Sequence, residues 1–145
     1  MDTMLILGDG PLGRAVETAA LDRRSRPADG QPAHVIRLIG RPPTGRHDPR
    51  ELTGAGLIVE ASRGDAVIPN LASGLDAGCR RFVIATTGWT TDRTRVESRL
   101  LEYGAAAVAA PNFSLGVVLF GRLVDAAVGL FHENRVESVR PANEK

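Results

Sequence analysis

Apolar runs of strand length alternate along this chain with longer stretches in which apolar residues recur at helical spacing. The pattern predicts strands at residues 4–7, 33–39, 57–60, 82–85 and 106–109. It predicts helices at 12–21, 66–77 and 93–103, and a long apolar helix at 115–131. In the second helix Val67, Ile68, Leu71 and Leu75 share one face, and Gly78 ends it with the residue type that accepts a left-handed cap. Segment 22–32 holds two prolines and a glycine, and segment 41–49 holds three prolines and a glycine, so both read as loops. Strands that take turns with helices in this way predict an α/β fold with a parallel sheet covered on both faces. The stretch 132–145 is polar, and it reads as a fraying tail or as an added strand near 135–139.

The first strand runs directly into Gly8-Asp9-Gly10-Pro11-Leu12-Gly13. The spacing is G-x-G-x-x-G, and helical pattern resumes at once with Arg14, Ala15 and Val16. This strand–turn–helix setting is what gives the glycines physical meaning. Gly8 permits a tight turn, Gly10 lets the backbone approach a pyrophosphate, and Gly13 lets helix and strand pack closely. The free N–H groups at the helix start then face an anion. The fold class expected is therefore a Rossmann-type doubly wound parallel sheet, as a single domain over residues 1–131.

Size and charge narrow the classes further. The 145 residues suit one domain with one core. The net charge is +1 with basic residues scattered, which leaves no electrostatic footprint for nucleic acid. No apolar stretch is long enough for a bilayer, and no export signal is recognisable, so the expectation is a cytoplasmic protein without a membrane partner. Cys79 is the sole cysteine, so it cannot form an internal disulfide; it reads as a small semi-buried residue, and no metal site is expected.

In a sheet of this kind the loops leaving the carboxyl ends of the strands gather at one crevice. Residues 8–13, Gly40-Arg41, residues 61–63 and residues 86–89 should meet there, with residues 111–114 following the fifth strand. An acidic residue after the second strand would bond the ribose hydroxyls of a dinucleotide. This chain offers Gly40-Arg41 instead and no carboxylate before Asp48. Arg41 is either a bidentate partner for a 2′-phosphate, which favours NADPH over NADH, or a solvated loop charge.

Read in order, Glu60-Ala61-Ser62-Arg63, Asp65-Ala66-Val67, Asn70-Leu71, Ala77-Gly78, Ala85-Thr86-Thr87-Gly88-Trp89 and Ala110-Pro111-Asn112-Phe113-Ser114-Leu115-Gly116-Val117 resemble the nucleotide-binding half of the 4-hydroxy-tetrahydrodipicolinate reductase family. The resemblance covers residues 4–131. It implies a nicotinamide cofactor, NADPH or NADH, held by Gly8, Asp9, Gly10, Pro11, Leu12 and Gly13. It further implies contacts from Ala61, Ser62, Ala85, Thr86, Thr87, Asn112 and Phe113, with Thr87 and Phe113 nearest the nicotinamide. Each has a structural alternative. Phe113 suits core packing, Asn112 suits a helix cap, Thr86 and Thr87 suit local backbone bonding, and Trp89 suits an anchoring aromatic.

The chain also departs from that family. Its glycine turn is one residue shorter, Glu60-Ala61-Ser62 stands where Asp-Phe-Thr is frequent, and Ala85 replaces the first glycine of Gly-Thr-Thr-Gly. The paired-histidine motif, lysine and Ser-Gly-Thr loop of the family's substrate half have no counterpart, and His34, His47 and His132 match none of it. Three functional readings follow. One is a compact NADPH-dependent reductase of a cyclic imine or similar small-molecule substrate. Tyr103, His132, Glu60 or solvent would be its proton source, and no catalytic residue is assigned. Another is a non-catalytic NAD(P)-binding module or subunit. The third is a non-redox enzyme that has kept the fold and lost the cofactor. The helix at 115–131 is too apolar for one solvated face, which predicts a homodimer through it.

Overall fold

The structure, a computed structural model, describes residues 3–25 and 35–137. Two compact units are present, Met1–Pro111 and Asn112–Lys145. The first holds β1 (Thr3–Leu7), α1 (Pro11–Ser25), β2 (Val35–Ile39), β3 (Ala55–Glu60), α2 (Val67–Asp76), β4 (Arg81–Ile84), α3 (Arg93–Glu102) and β5 (Ala106–Ala109). Short 3-10 turns occupy Pro49–Leu52, Gly64–Ala66 and Thr90–Asp92. All pairings are parallel, in the order β2-β1-β3-β4-β5. This is the doubly wound α/β arrangement that the strand–helix alternation predicts.

Strand alternation divides the core into two layers. Leu5, Leu7, Ile58, Phe82 and Ile84 face α2 and α3, where Val67, Leu71, Leu75 and Val96 complete a buried cluster. Ile6 and Val59 face the other way, with Met4, Ile36, Leu38 and Val16 of α1 packed around them. α2 lies very close to the sheet, because a methyl group on Gly74 would come within 2.7 Å of Ile58 Cδ1 and 2.8 Å of Phe82 Cε1. Only an unsubstituted helix position permits that approach. Each buried Leu or Ile of these layers is worth about 1.5–3 kcal/mol of transfer free energy.

Several boundaries differ from expectation. α1 continues to Ser25, so residues 22–25 are helical rather than loop; the first proline after them is Pro27. β3 begins two residues early, at Ala55, and β4 ends at Ile84, which leaves Ala85 in the loop. Ala33 and His34 lie outside the described residues.

In the second unit α4 spans Leu115–Glu137. The strand expected near 135–139 does not form over residues 135–137, which continue the helix; no proline or glycine interrupts the chain there. The rest of that stretch lies outside the described residues. Val117, Leu119, Phe120 and Leu123 are all more than half exposed, so no single stripe of the helix holds its apolar residues.

Candidate functional site

The connection after β1 leads to one side of that strand and the connection after β2 crosses to the other, so the carboxyl ends of β1 and β3 flank a switch point. The turn after β1 fills it. Gly8 has φ +111°, a conformation that side chains disfavour, and its N–H donates to the Ile39 carbonyl at 2.9 Å. A methyl group on Gly8 would stand 2.6 Å from the Ala61 carbonyl oxygen and 2.8 Å from Ser62 Cα. One on Gly13 would run into the Gly8 carbonyl oxygen. Gly10 has nothing within 4 Å of such a methyl group. Two glycines are thus demanded by the turn itself, while the third borders open space in front of the helix start. Pro11 occupies the first helical position, where its missing N–H costs nothing, and the Arg14 N–H closes the first turn onto the Gly10 carbonyl at 3.0 Å, which leaves the Leu12 and Gly13 amides ahead of the helical ladder. These features fit the diphosphate of a dinucleotide: small residues, free amides and room.

The loops after β3 and β4 close the other side. A methyl group on Gly64 would lie 2.6 Å from the Gly88 carbonyl oxygen and 3.0 Å from that of Thr87, so the two loops touch backbone to backbone. Beneath them sits Glu60, 3% exposed. Its carboxylate accepts from the Ser62 N–H at 2.9 Å, from the Ser62 hydroxyl, from Asn70 Nδ2 at 2.7 Å and from the Thr86 hydroxyl at 3.3 Å. Burial pushes the Glu60 pKa above its ordinary value, and these hydrogen bonds oppose the shift. Thr86 is buried and directed at Glu60, whereas Thr87 next to it is exposed. A cleft of about 340 Å³ opens between this loop, α3 and the alanine-rich strand β5, with Thr86, Thr87, Trp89, Ala107 and Ala109 among its walls.

The rim carries charge. Arg63 pairs with Asp65 at 3.1 Å. That hydrogen bond holds the Asp65 carboxyl below its usual range, and the more distant Arg41 charge adds slightly to the effect. Asp9 is exposed, and its carboxylate lies against Gly40: a methyl group there would be 3.1 Å from Oδ2 and 3.7 Å from Oδ1.

The structure therefore brings Gly8–Gly13, Ala61 and Ser62 together at the β1–β3 crevice. Asn112 and Phe113 belong to the second unit. There Asn112 Oδ1 accepts from the Ser114 N–H at 2.6 Å, a local turn that leads into α4. Phe113 is 53% exposed. Trp89 is 9% exposed within the α2–α3 layer, as an anchoring aromatic would be. Tyr103 cannot serve the crevice. α3 runs antiparallel to the strands, so its end lies at their amino edge, where Tyr103 donates to Asp76 Oδ1 at 3.2 Å and stacks under Arg80. His132 lies in α4. His47 is buried at 2% exposure with Nδ1 unbonded, 3.9 Å from Glu51 Oε2. Residue periodicity gave no sign of the roles of Gly40 and Gly64, because both depend on which loops meet in space.

No family model matches this chain. A curated relative does. Over 97 residues the chain is 33% identical to the 4-hydroxy-tetrahydrodipicolinate reductase of Streptomyces griseus subsp. griseus. The match covers 59% of this chain and 38% of the relative's length. Among the described residues no helix is long and apolar enough to cross a membrane, and no group of three His, Cys, Asp or Glu side chains could hold a metal.

Proposed function

We propose that this chain binds a reduced nicotinamide dinucleotide and acts as an NAD(P)H-dependent reductase of a cyclic imine or similar small electrophile, as a homo-oligomer. The observation that carries the reading is the unequal status of the three glycines. Gly8 and Gly13 are required by the fold, while Gly10 faces open space at a helix start. The similarity to a named reductase over 97 residues supports the same direction.

Bound coenzyme would supply the hydride; the chain supplies geometry and electrostatics. The Gly8–Gly13 turn and the α1 terminus would hold the diphosphate. Arg41 would receive a 2′-phosphate if NADPH is the coenzyme. Ala61 and Ser62 would border the adenosine side, and Ala85, Thr86 and Thr87 the nicotinamide side. Asn112 and Phe113 complete the assignment that the resemblance implies. Glu60 would order the loops from beneath them, buried and bonded by Ser62, Asn70 and Thr86.

That same occupancy favours a second reading, a binding module without chemistry. Glu60 is engaged and Tyr103 lies at the far edge of the sheet. Incubating the protein with NADPH and a panel of cyclic imines separates the two. Loss of reduced-nicotinamide absorbance supports the reductase. Tight binding with no turnover supports the module.

A further inference from the structure

Gly40 follows β2 with no side chain, at the place where a dinucleotide-binding sheet usually offers a carboxylate to the adenosine ribose. The structure fills that place from another segment. The Asp9 side chain leaves the turn after β1 and lays its carboxylate over Gly40, with Oδ2 and Oδ1 3.1 and 3.7 Å from where a β-carbon would be. A methyl group at 40 would press on it. Arg14 Nε donates to the Asp9 carbonyl at 2.8 Å and steadies the peptide that bears this side chain. The Gly8 N–H bond to Ile39 fixes the turn to the end of β2. Among the described residues no hydrogen bond or ion pair uses the Asp9 carboxylate, so both its oxygens are available.

We infer that Asp9, from within the glycine turn, supplies the ribose-binding carboxylate that β2 lacks, and so determines the choice of coenzyme. The inference rests on the dinucleotide reading of the turn. A carboxylate here accepts hydrogen bonds from the 2′- and 3′-hydroxyls of an unphosphorylated ribose. A 2′-phosphate offers no such donor at the 2′ position and brings like charge against it. Arg41, next along the chain from Gly40, pulls the other way. The pair sets a balance: Asp9 favours NADH and Arg41 favours NADPH. A sequence search for an acid after the second strand misses this residue, because it lies thirty-one positions earlier and reaches the site through space.

Calorimetric titration of the whole chain with NADH and NADPH tests it. Asp9→Asn removes the charge and keeps the size. The dissociation-constant ratio of NADPH to NADH should fall by about tenfold or more, given the cost of opposing like charges. Arg41→Ala should raise it. A ratio that stays within about twofold in Asp9→Asn, while the wild-type protein binds both coenzymes, overturns the inference and leaves the dinucleotide site standing. Failure of the wild-type protein to bind either coenzyme overturns both together.

Discussion

The side-chain amide of Asn70 and the carboxylate of Glu60 meet at 2.7 Å, each residue 3% exposed, beneath the loops that border the crevice. The contact joins α2 to the end of β3, and the Thr86 hydroxyl extends it to the loop after β4. A buried carboxylate is tolerated only because donors surround it.

Glu60 therefore makes stability depend on pH in a defined sense. Its folded pKa is raised by burial, so the folded state holds a proton that the unfolded state has released. Stability from this group is highest below the ordinary glutamate pKa and declines as pH rises from there through the raised folded value. Glu60→Gln keeps the shape and removes the titration. Urea unfolding of both proteins across mildly acidic to neutral pH should show the wild type losing stability, relative to the variant, as pH rises. Parallel pH profiles would contradict the assignment.

His47 acts in the opposite sense. Burial lowers its pKa despite the nearby Glu51 carboxylate. The unfolded chain takes up a proton first, so stability from His47 is present above the ordinary histidine value and is lost as pH falls through that value towards the depressed one. His47→Gln should flatten this acid limb in the same unfolding experiment. An unchanged limb would show that another group sets it.

The three glycines of the turn should separate cleanly on substitution. Gly13→Ala forces a methyl group onto the Gly8 carbonyl and should cost about 1–3 kcal/mol, as overpacking does. Gly10→Ala meets no atom within 4 Å and should stay within about 0.5 kcal/mol of wild type. Denaturant midpoints at constant m-value decide this. Equal losses at both positions would mean that the turn is packed differently.

Much of this was legible in the sequence, and the reason is local. Apolar runs such as Met4–Leu7 and the periodic face of Val67, Leu71 and Leu75 carry their own structure, and so does a glycine turn between strand and helix. The parallel sheet followed from their alternation. What escaped was set by distance in space. Gly64 is small because Gly88 presses on it, Asp9 reaches Gly40, and Tyr103 is carried to the wrong edge by the direction of α3. The extension of α1 to Ser25 and of α4 to Glu137 escaped because polar residues without proline or glycine suit a helix end as well as a loop.

If the turn after β1 holds the diphosphate of a nicotinamide coenzyme, filling the space before α1 abolishes binding. Calorimetry of the wild-type chain and of Gly10→Val with NADH and NADPH tests it most directly. The wild type should show saturable one-site binding and a folded Gly10→Val none, because the valine side chain fills the open space before α1. Binding of either coenzyme to Gly10→Val as tight as to the wild type, or no binding to the wild type at all, would contradict it.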